Sequence, residues 1–277
     1  MKICDLHTHS VFSDGTFTPA EIIDSALKIG LSAVALCDHN TVDGLPEFIK
    51  AANGKDIEAI AGAEFSVSHN GKEYHLLGLY IPEKHFPEIQ TGVRSVDIEK
   101  NKSNIDLIES LNDAGYEIDY ETVKSSTPKG RVNRVHIAKA LKEKGYVASV
   151  EEAFSTVLSV ENGYYKEPKR LSLLEMIDFV RSIDAVPVLA HPFLKSDHDV
   201  LETLLPIAKE RGLVGMECYY SLYDARTTEK SFRLADRFGL KYSGGSDFHG
   251  SSKPDIELGT GKGNLKIPYD WAVALRK

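Results

Sequence analysis

The sequence predicts an α/β protein with a barrel-like core of parallel strands and a helical insertion. Three observations support this prediction. The first 65 residues alternate apolar strand-like runs with amphipathic helices in the order βαβαβ, and the alternation returns between residues 173 and 245. Residues 92–168 contain helical patterns but no strand of comparable strength. Strands that alternate with helices are typical of a parallel sheet, so we expect one barrel that carries an insertion.

The elements of the first part follow from local signals. Ile3, Cys4 and Leu6 form a short apolar run typical of a buried strand. Thr18 and Glu21 flank Pro19 as a capping box, which predicts a helix that ends at Gly30. We expect strands at residues 31–37 and 57–65 and a helix at residues 45–53 between them. The Asn-Gly pair at residues 70–71 then predicts a hairpin.

The remaining elements divide the chain into two parts. Helices are expected in the insertion at residues 93–114, 132–144 and 150–158. The later helices are expected at 173–183, 200–211 and 225–238, and the strands at 185–190, 214–219 and 241–245. We therefore expect a barrel formed by residues 1–91 and 169–277, with residues 92–168 as a helical lid.

Composition limits the classes of function. The chain has 277 residues and a net charge of -8, so tight binding to long nucleic acid through phosphate neutralisation is not favoured. Its three cysteines, Cys4, Cys37 and Cys218, are far apart and odd in number, which indicates reduced thiols in a cytoplasmic protein. We find no membrane-spanning apolar run and no secretory leader, and we expect no membrane partner.

Potential metal ligands recur at the predicted strand ends. One histidine in such a place is most often an ordinary polar residue, but six of the ten histidines belong to this set together with three carboxylates. Carboxyl ends of parallel strands meet at one rim, and these residue types bind transition metals. The sequence therefore predicts a multinuclear metal site. Its residues are His7, His9, Asp14, His39, Glu64, His75, His191, Asp247 and His249.

The order of these motifs resembles the PHP family (polymerase and histidinol phosphatase) along nearly the whole chain. The motifs are DLHTHS at residues 5–10, SDG at 13–15, DHN at 38–40, GAE at 62–64, His75, AHP at 190–192 and GSDFH at 245–249. The resemblance implies a distorted (β/α)7 barrel that holds three metal ions. It is strongest to the free-standing phosphoesterases with a helical insertion, which include 3',5'-bisphosphonucleotide phosphatases and 5'-3' exoribonucleases.

The resemblance also implies how the ligands are shared among the ions. The first ion would take His7, His9, Glu64 and Asp247; the second would share Glu64 and add His75 and His191; the third would take Asp14, His39 and His249. Many members have histidine in place of Asp14, and the aspartate agrees with the nucleotide-phosphatase branch. A carboxylate favours harder ions, so we expect Mn²⁺, with Fe²⁺ or Zn²⁺ as alternatives.

Substrate contacts are expected in the insertion. Arg134 and His136 resemble the Arg-x-His segment with which phosphate-binding members contact a substrate phosphate. Lys166 and Arg131 are either further phosphate contacts or solvated side chains. The nucleophile would be a metal-bound water, and no serine or cysteine nucleophile is required.

Residues beside the expected ligands have two interpretations each. Asp5 and Asp38 precede metal-type histidines, where each would either orient an imidazole or cap a strand end. Tyr219 and Tyr220 follow a predicted strand, where they would either stack on a base or pack at the barrel rim.

These features predict a metal-dependent phosphoesterase that hydrolyses a phosphate monoester of a small nucleotide, such as a 3',5'-bisphosphonucleotide. The alternatives are a 5'-3' exonuclease on short oligonucleotides and a histidinol-phosphate phosphatase. An inactive PHP module is a further alternative, against which the complete set of ligands argues.

Overall fold

The structure is a computed structural model. It describes residues 2–127, 132–166, 168 and 170–277, and for residues 94–97 and 160 it describes only the backbone. Arg131 lies outside the described residues. The chain forms two compact units, one of Met1–Gln90 with Arg170–Lys277 and the other of Thr91–Lys169. No helix among the described residues combines the length and the apolar character needed to cross a membrane.

The first unit is a distorted α/β barrel. Its strands are β1 (Ile3–Thr8), β2 (Ala33–Leu36), β3 (Glu58–His69), β4 (Lys72–Leu79), β5 (Leu171–Ser172), β6 (Val186–Ala190), β7 (Gly215–Tyr220), β8 (Lys241–Gly245) and β9 (Ile267–Pro268). Its helices are α1 (Pro19–Lys28), α2 (Leu45–Ala52), α7 (Leu173–Ser182), α8 (His198–Glu210), α9 (Ala225–Arg237) and α10 (Tyr269–Arg276). Helix α3 (Phe86–Asp113) begins in this unit and continues into the second.

The strands are ordered β8-β7-β6-β4-β3-β2-β1-β9, with β5 beside β3. A bridge between Thr8 and Phe248 brings the end of β1 against the segment that follows β8, so the barrel is nearly closed. Strand β4 is antiparallel to both β3 and β6, and β9 is antiparallel to β1. The reversal at β4 is the hairpin that the Asn-Gly pair predicts, whereas β9 was not predicted from the sequence. The pairs β1–β2, β2–β3, β6–β7 and β7–β8 are parallel, as expected.

Local sequence signals explain several of these elements. The Thr18 side chain accepts a hydrogen bond from the Glu21 N–H, and the Glu21 carboxylate accepts one from the Thr18 N–H, so α1 begins with the predicted capping box. Asn70 and Gly71 both have positive φ, at 50° and 75°, which is the geometry of a tight hairpin turn. The hairpin carries β3 and β4 beyond the level at which the neighbouring strands end.

The second unit is helical in its described residues. It contains most of α3 together with α4 (Tyr120–Ser125), α5 (Arg134–Glu143) and α6 (Val150–Ser155). Leu107, Leu111, Ile137 and Leu141 are fully buried in a hydrophobic cluster of its own. Such a cluster is the usual condition for a separately packed unit.

Candidate metal centre

The nine expected ligands are positioned by the carboxyl ends of β1, β2, β6 and β8 and by the β3–β4 pair. His7 lies in β1, and His9 and Asp14 follow it; His39 follows β2, and His191 follows β6. Asp247 and His249 follow β8. Glu64 lies within β3 and His75 within β4, and these two strands run antiparallel. The chain therefore brings all nine side chains into one buried or half-buried cluster.

Four of these residues form a compact group around one oxygen of Glu64. His7 Nε2 lies 3.0 Å from His9 Nε2, and each nitrogen lies 3.3 Å from Glu64 Oε2. Asp247 Oδ1 lies 3.2 Å from His9 Nε2 and 3.8 Å from His7 Nε2. Atoms that bind one ion tetrahedrally at about 2.1 Å are separated by about 3.4 Å. The four atoms therefore have the spacing of a metal-binding set.

The other oxygen of Glu64 faces a different pair of imidazoles. Glu64 Oε1 lies 2.7 Å from His75 Nδ1 and 2.9 Å from His191 Nε2. Glu64 is buried, with 1% of its surface exposed, and both of its oxygens face histidine nitrogens within the cluster. A carboxylate that divides its oxygens in this way has the arrangement needed to bridge two ions.

Asp14 brings together a third group. Asp14 Oδ1 lies 3.2 Å from His249 Nε2, and Asp14 Oδ2 lies 3.7 Å from His39 Nε2. The rings of His9 and His249 stack with their centres 4.1 Å apart, so this group is continuous with the first. His9 can therefore be grouped with Asp14, His39 and His249 as well as with His7 and Glu64. The division of the nine residues among individual ions remains a prediction.

The electrostatics of the cluster are dominated by burial and by close opposite charges. Burial lowers the pKa of His9, but the neighbouring carboxylates of Asp247 and Glu64 more than reverse this and raise the pKa to about 9. Burial also lowers the pKa of His75, but the charge of Glu64 and the hydrogen bond to it raise this pKa to about 9. Burial alone would raise the pKa of Glu64, but the charges of the neighbouring histidines hold it well below its usual range.

The donor atoms also satisfy a test of whether metal ions fit. Asp14 Oδ1, His39 Nδ1 and Glu64 Oε2 are buried without a hydrogen-bond partner among the described residues. His39 Nδ1 and Glu64 Oε2 are 3.0 Å apart but are not aligned for a hydrogen bond. Buried polar atoms in proteins normally have partners. Nitrogen and oxygen atoms in this state, gathered in one cluster, fit divalent cations.

Three neighbouring residues contact the cluster in ways that were not predicted from the sequence or were left open. Glu217 is fully buried in β7, and its Oε1 lies 3.1 Å from His7 Nδ1. Lys253 Nζ lies 2.6 Å from Asp247 Oδ2, and the Tyr220 hydroxyl donates to the same oxygen at 2.8 Å. A lone carboxylate within an apolar strand was the signal for Glu217, whereas Lys253 lies in a polar loop without a pattern.

The two aspartates that precede ligand histidines bind backbone and hydroxyl groups. Asp5 accepts hydrogen bonds from the backbone N–H groups of His7, Ser246 and Gly259. Asp38 accepts from the Ser10 N–H and hydroxyl at 2.8 and 2.6 Å. Of the two interpretations, the structure supports fixing of the strand ends. Tyr219 packs against Trp271, as the packing interpretation expects.

The expected phosphate-binding residues lie in the second unit. Arg134 begins α5, and its guanidinium lies over the ring of Tyr165, 4.1 Å from the ring centre. His136 is 8% exposed, and its Nδ1 accepts a hydrogen bond from the Asn133 N–H, so it also caps the helix. Lys166 is exposed, and its backbone carbonyl accepts from the Ser103 hydroxyl. Their role toward a substrate remains a prediction.

Comparison with known proteins identifies the family. The family model described as PHP domain matches residues 5–169. A 5'-3' exoribonuclease from Haemophilus influenzae is 29% identical over 249 residues, which covers 90% of each chain. A 3',5'-nucleoside bisphosphate phosphatase from Chromobacterium violaceum is 28% identical over 261 residues, which covers 94% of this chain and 91% of the relative.

A solved structure agrees with these relatives. The structure, from Bifidobacterium adolescentis and described as a metal-dependent phosphoesterase, has a TM-score of 0.85 and 26% identity over 99% of this chain and 95% of its own. The family match covers more than half of the chain, and both relatives align along about nine-tenths of their length. This chain therefore belongs to the PHP domain family and is a metal-dependent phosphoesterase.

Proposed function

We propose that this phosphoesterase hydrolyses a phosphate monoester of a small nucleotide, with a 3',5'-bisphosphonucleotide as the substrate class. The observation that carries the proposal is the position of Glu64, whose two oxygens face separate groups of histidines within one buried cluster. The Chromobacterium violaceum relative, named a 3',5'-nucleoside bisphosphate phosphatase, supports the choice of substrate. The carboxylate at Asp14 supports the same branch of the family.

The proposed centre holds three divalent ions, with His7, His9, Glu64 and Asp247 at the first position. Glu64, His75 and His191 hold the second, and Asp14, His39 and His249 hold the third. The mixture of imidazole and carboxylate ligands suits Mn²⁺, with Fe²⁺ or Zn²⁺ as alternatives. When bound, such ions polarise phosphoryl oxygens and lower the pKa of a bound water to near neutrality.

The charges of the protein residues favour binding of a phosphate group. The proposed ligands include only three carboxylates, Asp14, Glu64 and Asp247, so three divalent cations would leave the ligated centre with a net positive charge. The ammonium group of Lys253 adds a further positive charge beside Asp247, and its side chain is 38% exposed. The centre therefore attracts a phosphate dianion and repels other cations.

The insertion is proposed to supply further contacts to the substrate. Residues 92–168 would act as a lid in which Arg134 binds a phosphate group in bidentate fashion, with His136 beside it and Lys166 as a third contact. The aromatic ring of Tyr165 beneath the guanidinium limits the directions in which Arg134 can point. A partly ordered arginine loses less entropy when it binds a phosphate.

A 5'-3' exonuclease is the second candidate. The Haemophilus influenzae relative, named a 5'-3' exoribonuclease, favours it. The net charge of -8 disfavours long nucleic acid but is compatible with a short oligonucleotide held by metal ions.

Product analysis separates these activities. Protein loaded with Mn²⁺ is incubated with 3',5'-bisphosphoadenosine, histidinol phosphate or a 5'-phosphorylated oligonucleotide. The proposal expects inorganic phosphate from the bisphosphonucleotide at the highest kcat/KM. Preferential release of mononucleotides from the oligonucleotide would support the exonuclease and contradict the phosphatase proposal. No release of phosphate or nucleotide from any of the three substrates would refute hydrolysis of these phosphate esters.

The metal centre is tested separately from the substrate. His9→Ala removes a nitrogen that lies within 3.3 Å of both Glu64 and Asp247, so metal content and turnover should both fall. His69→Ala is the matched control, because His69 lies at the hairpin end of β3 outside the cluster. Elemental analysis of the purified protein should give three ions per chain. Unchanged metal content in His9→Ala would contradict the proposed site.

A further inference from the structure

We propose that Glu217 is a positioning residue that fixes two of the proposed metal ligands, His7 and His191, through one hydrogen bond to each. This inference rests on the proposed metal centre. Glu217 is 0% exposed within β7, whereas His7 lies in β1 and His191 follows β6. Its Oε1 lies 3.1 Å from His7 Nδ1, and its Oε2 accepts the backbone N–H of His191 at 2.7 Å. One carboxylate therefore connects the two segments.

The contact with His7 determines which ring nitrogen faces the cluster. A carboxylate oxygen accepts hydrogen bonds, so the nitrogen that faces Glu217, Nδ1, carries the hydrogen. The Nε2 lone pair of the neutral imidazole is then available on the other side of the ring, where it lies 3.3 Å from Glu64 Oε2. Metal-binding histidines are commonly oriented by such a second hydrogen bond.

The contact with His191 acts on the backbone. His191 has φ 27° and ψ 52°, a left-handed conformation that is unfavourable for a residue other than glycine, and it precedes Pro192. Such strain persists when surrounding contacts stabilise it. The hydrogen bond from the His191 N–H to Glu217 is one of these contacts, and it holds the ring where Nε2 lies 2.9 Å from Glu64 Oε1.

Stability alone does not require a carboxylate at this place. Glu217 lies in an apolar strand opposite Ser243 of β8, and a buried carboxylate is costly unless it is hydrogen-bonded. Glu217 could also be grouped with His7 and His191 as a direct metal ligand. However, Glu217 Oε2 accepts a backbone N–H, and Glu217 Oε1 faces Nδ1 of a His7 ring whose Nε2 faces His9 and Glu64. The geometry therefore favours orientation of the ligands over direct binding.

Glu217→Gln tests the proposal because it preserves the size of the side chain. The amide keeps one acceptor oxygen but directs its NH2 group at one of the two N–H donors, so one hydrogen bond is lost. We expect Mn²⁺ affinity, measured by competition with a chelator, to fall by about 10–100-fold. The melting temperature of the metal-free protein should fall by only a few degrees, because a single hydrogen bond is lost.

Ser243→Ala is the matched control. Ser243 lies opposite Glu217 on the neighbouring strand and is equally buried, but its hydroxyl has no hydrogen-bond partner among the described residues. This variant should retain wild-type Mn²⁺ affinity. If Glu217→Gln binds Mn²⁺ as tightly as wild type, the inference fails while the metal centre stands. If the wild-type protein binds no Mn²⁺, the proposed centre itself fails.

A measurement on the wild-type protein tests the orientation of His7 by Glu217 even if Glu217→Gln does not fold. In Zn²⁺-loaded protein labelled with ¹⁵N in histidine, the His7 ring should carry its hydrogen on Nδ1 and bind the metal through Nε2. The opposite tautomer would overturn the inference. A crystal structure of the same loaded protein with a Glu217 oxygen at about 2.0–2.2 Å from zinc would also overturn it, because Glu217 would then be a ligand.

Discussion

The close approach of β8 to β1 allows a perturbation that acts on the metal centre through the backbone. In Gly245→Ala the new methyl carbon would lie 2.7 Å from His7 N and 2.9 Å from His7 Cα, and closer still to His7 Cβ. Ordinary contact begins at 3.4 Å, so relief of the contact with His7 N alone needs a separation of about 0.7 Å, and relief of the closer contact with His7 Cβ needs more. Excess packing of this kind costs about 1–3 kcal/mol of unfolding free energy. Metal–ligand distances tolerate only about 0.2 Å, so His7 should no longer bind well.

Gly215→Ala is the control for the loss of stability. At the start of β7, the added methyl carbon would lie 2.8 Å from both Leu275 Cδ2 and the Lys241 carbonyl oxygen, away from the proposed ligands. Urea unfolding of the metal-free proteins should show a similar loss for the two variants. Chelator competition should show an affinity loss of about tenfold or more, about 1.4 kcal/mol, in Gly245→Ala alone. Wild-type affinity in Gly245→Ala, or an equal loss in Gly215→Ala, would refute the reasoning.

Three further predictions concern the surroundings of the centre. Tyr220→Phe removes the hydroxyl that donates to Asp247 and should weaken Mn²⁺ binding by about 10-fold or more, measured by chelator competition. Arg134→Ala should raise KM for the bisphosphonucleotide by about 10-fold with little change in kcat, measured by steady-state kinetics. Metal binding at pH 7.5 should release protons from His9 and His75, whose pKa values are about 9, and affinity should rise with pH up to about 9. Calorimetry in buffers of different ionisation enthalpy measures that release, and heats that are independent of the buffer would contradict it.

Two controls match the first two of these predictions. Tyr242→Phe removes a tyrosine hydroxyl that donates to Asp236 outside the centre, so Mn²⁺ affinity should not change. Arg226→Ala removes an exposed arginine of α9 and should leave KM unchanged. If Tyr242→Phe weakened Mn²⁺ binding as much as Tyr220→Phe, or if Arg226→Ala raised KM as much as Arg134→Ala, the effect would not be specific to the proposed contact.

Local signals predicted most of the elements in the described part of the chain. The capping box before α1 and the Asn-Gly turn between β3 and β4 depend on neighbouring residues, so each was readable without knowledge of the fold. Strand β8 (Lys241–Gly245) has the bounds that were expected. The two-residue strands β5 and β9 were not predicted, because only distant pairing defines them as strands.

The candidate site was predictable to the extent that its residues follow strands. Those residues meet because the carboxyl ends of neighbouring strands meet, a property of the fold class. Glu217 and Lys253 are different. Glu217 contacts His7, which is 210 residues away in the sequence, and Lys253 lies in a loop without a repeating pattern. Sequence spacing carries no information about either contact. The partner of a lone buried carboxylate can be identified only when the positions of the strands in the barrel are known.

Three buried carboxylates around the centre share one principle, which is that their two oxygens serve different partners. Glu64 directs one oxygen to His75 and the other toward His7, and Asp247 directs Oδ2 to Tyr220 and Lys253 while Oδ1 faces His9. Glu217 connects a ring nitrogen with a backbone N–H. An amide has the same shape but accepts on one side only. Replacement of each carboxylate by its amide therefore removes one function at a time without a cavity. Such a series can separate the proposed metal bridging at Glu64, the proposed metal binding at Asp247 and the proposed orientation of ligands by Glu217.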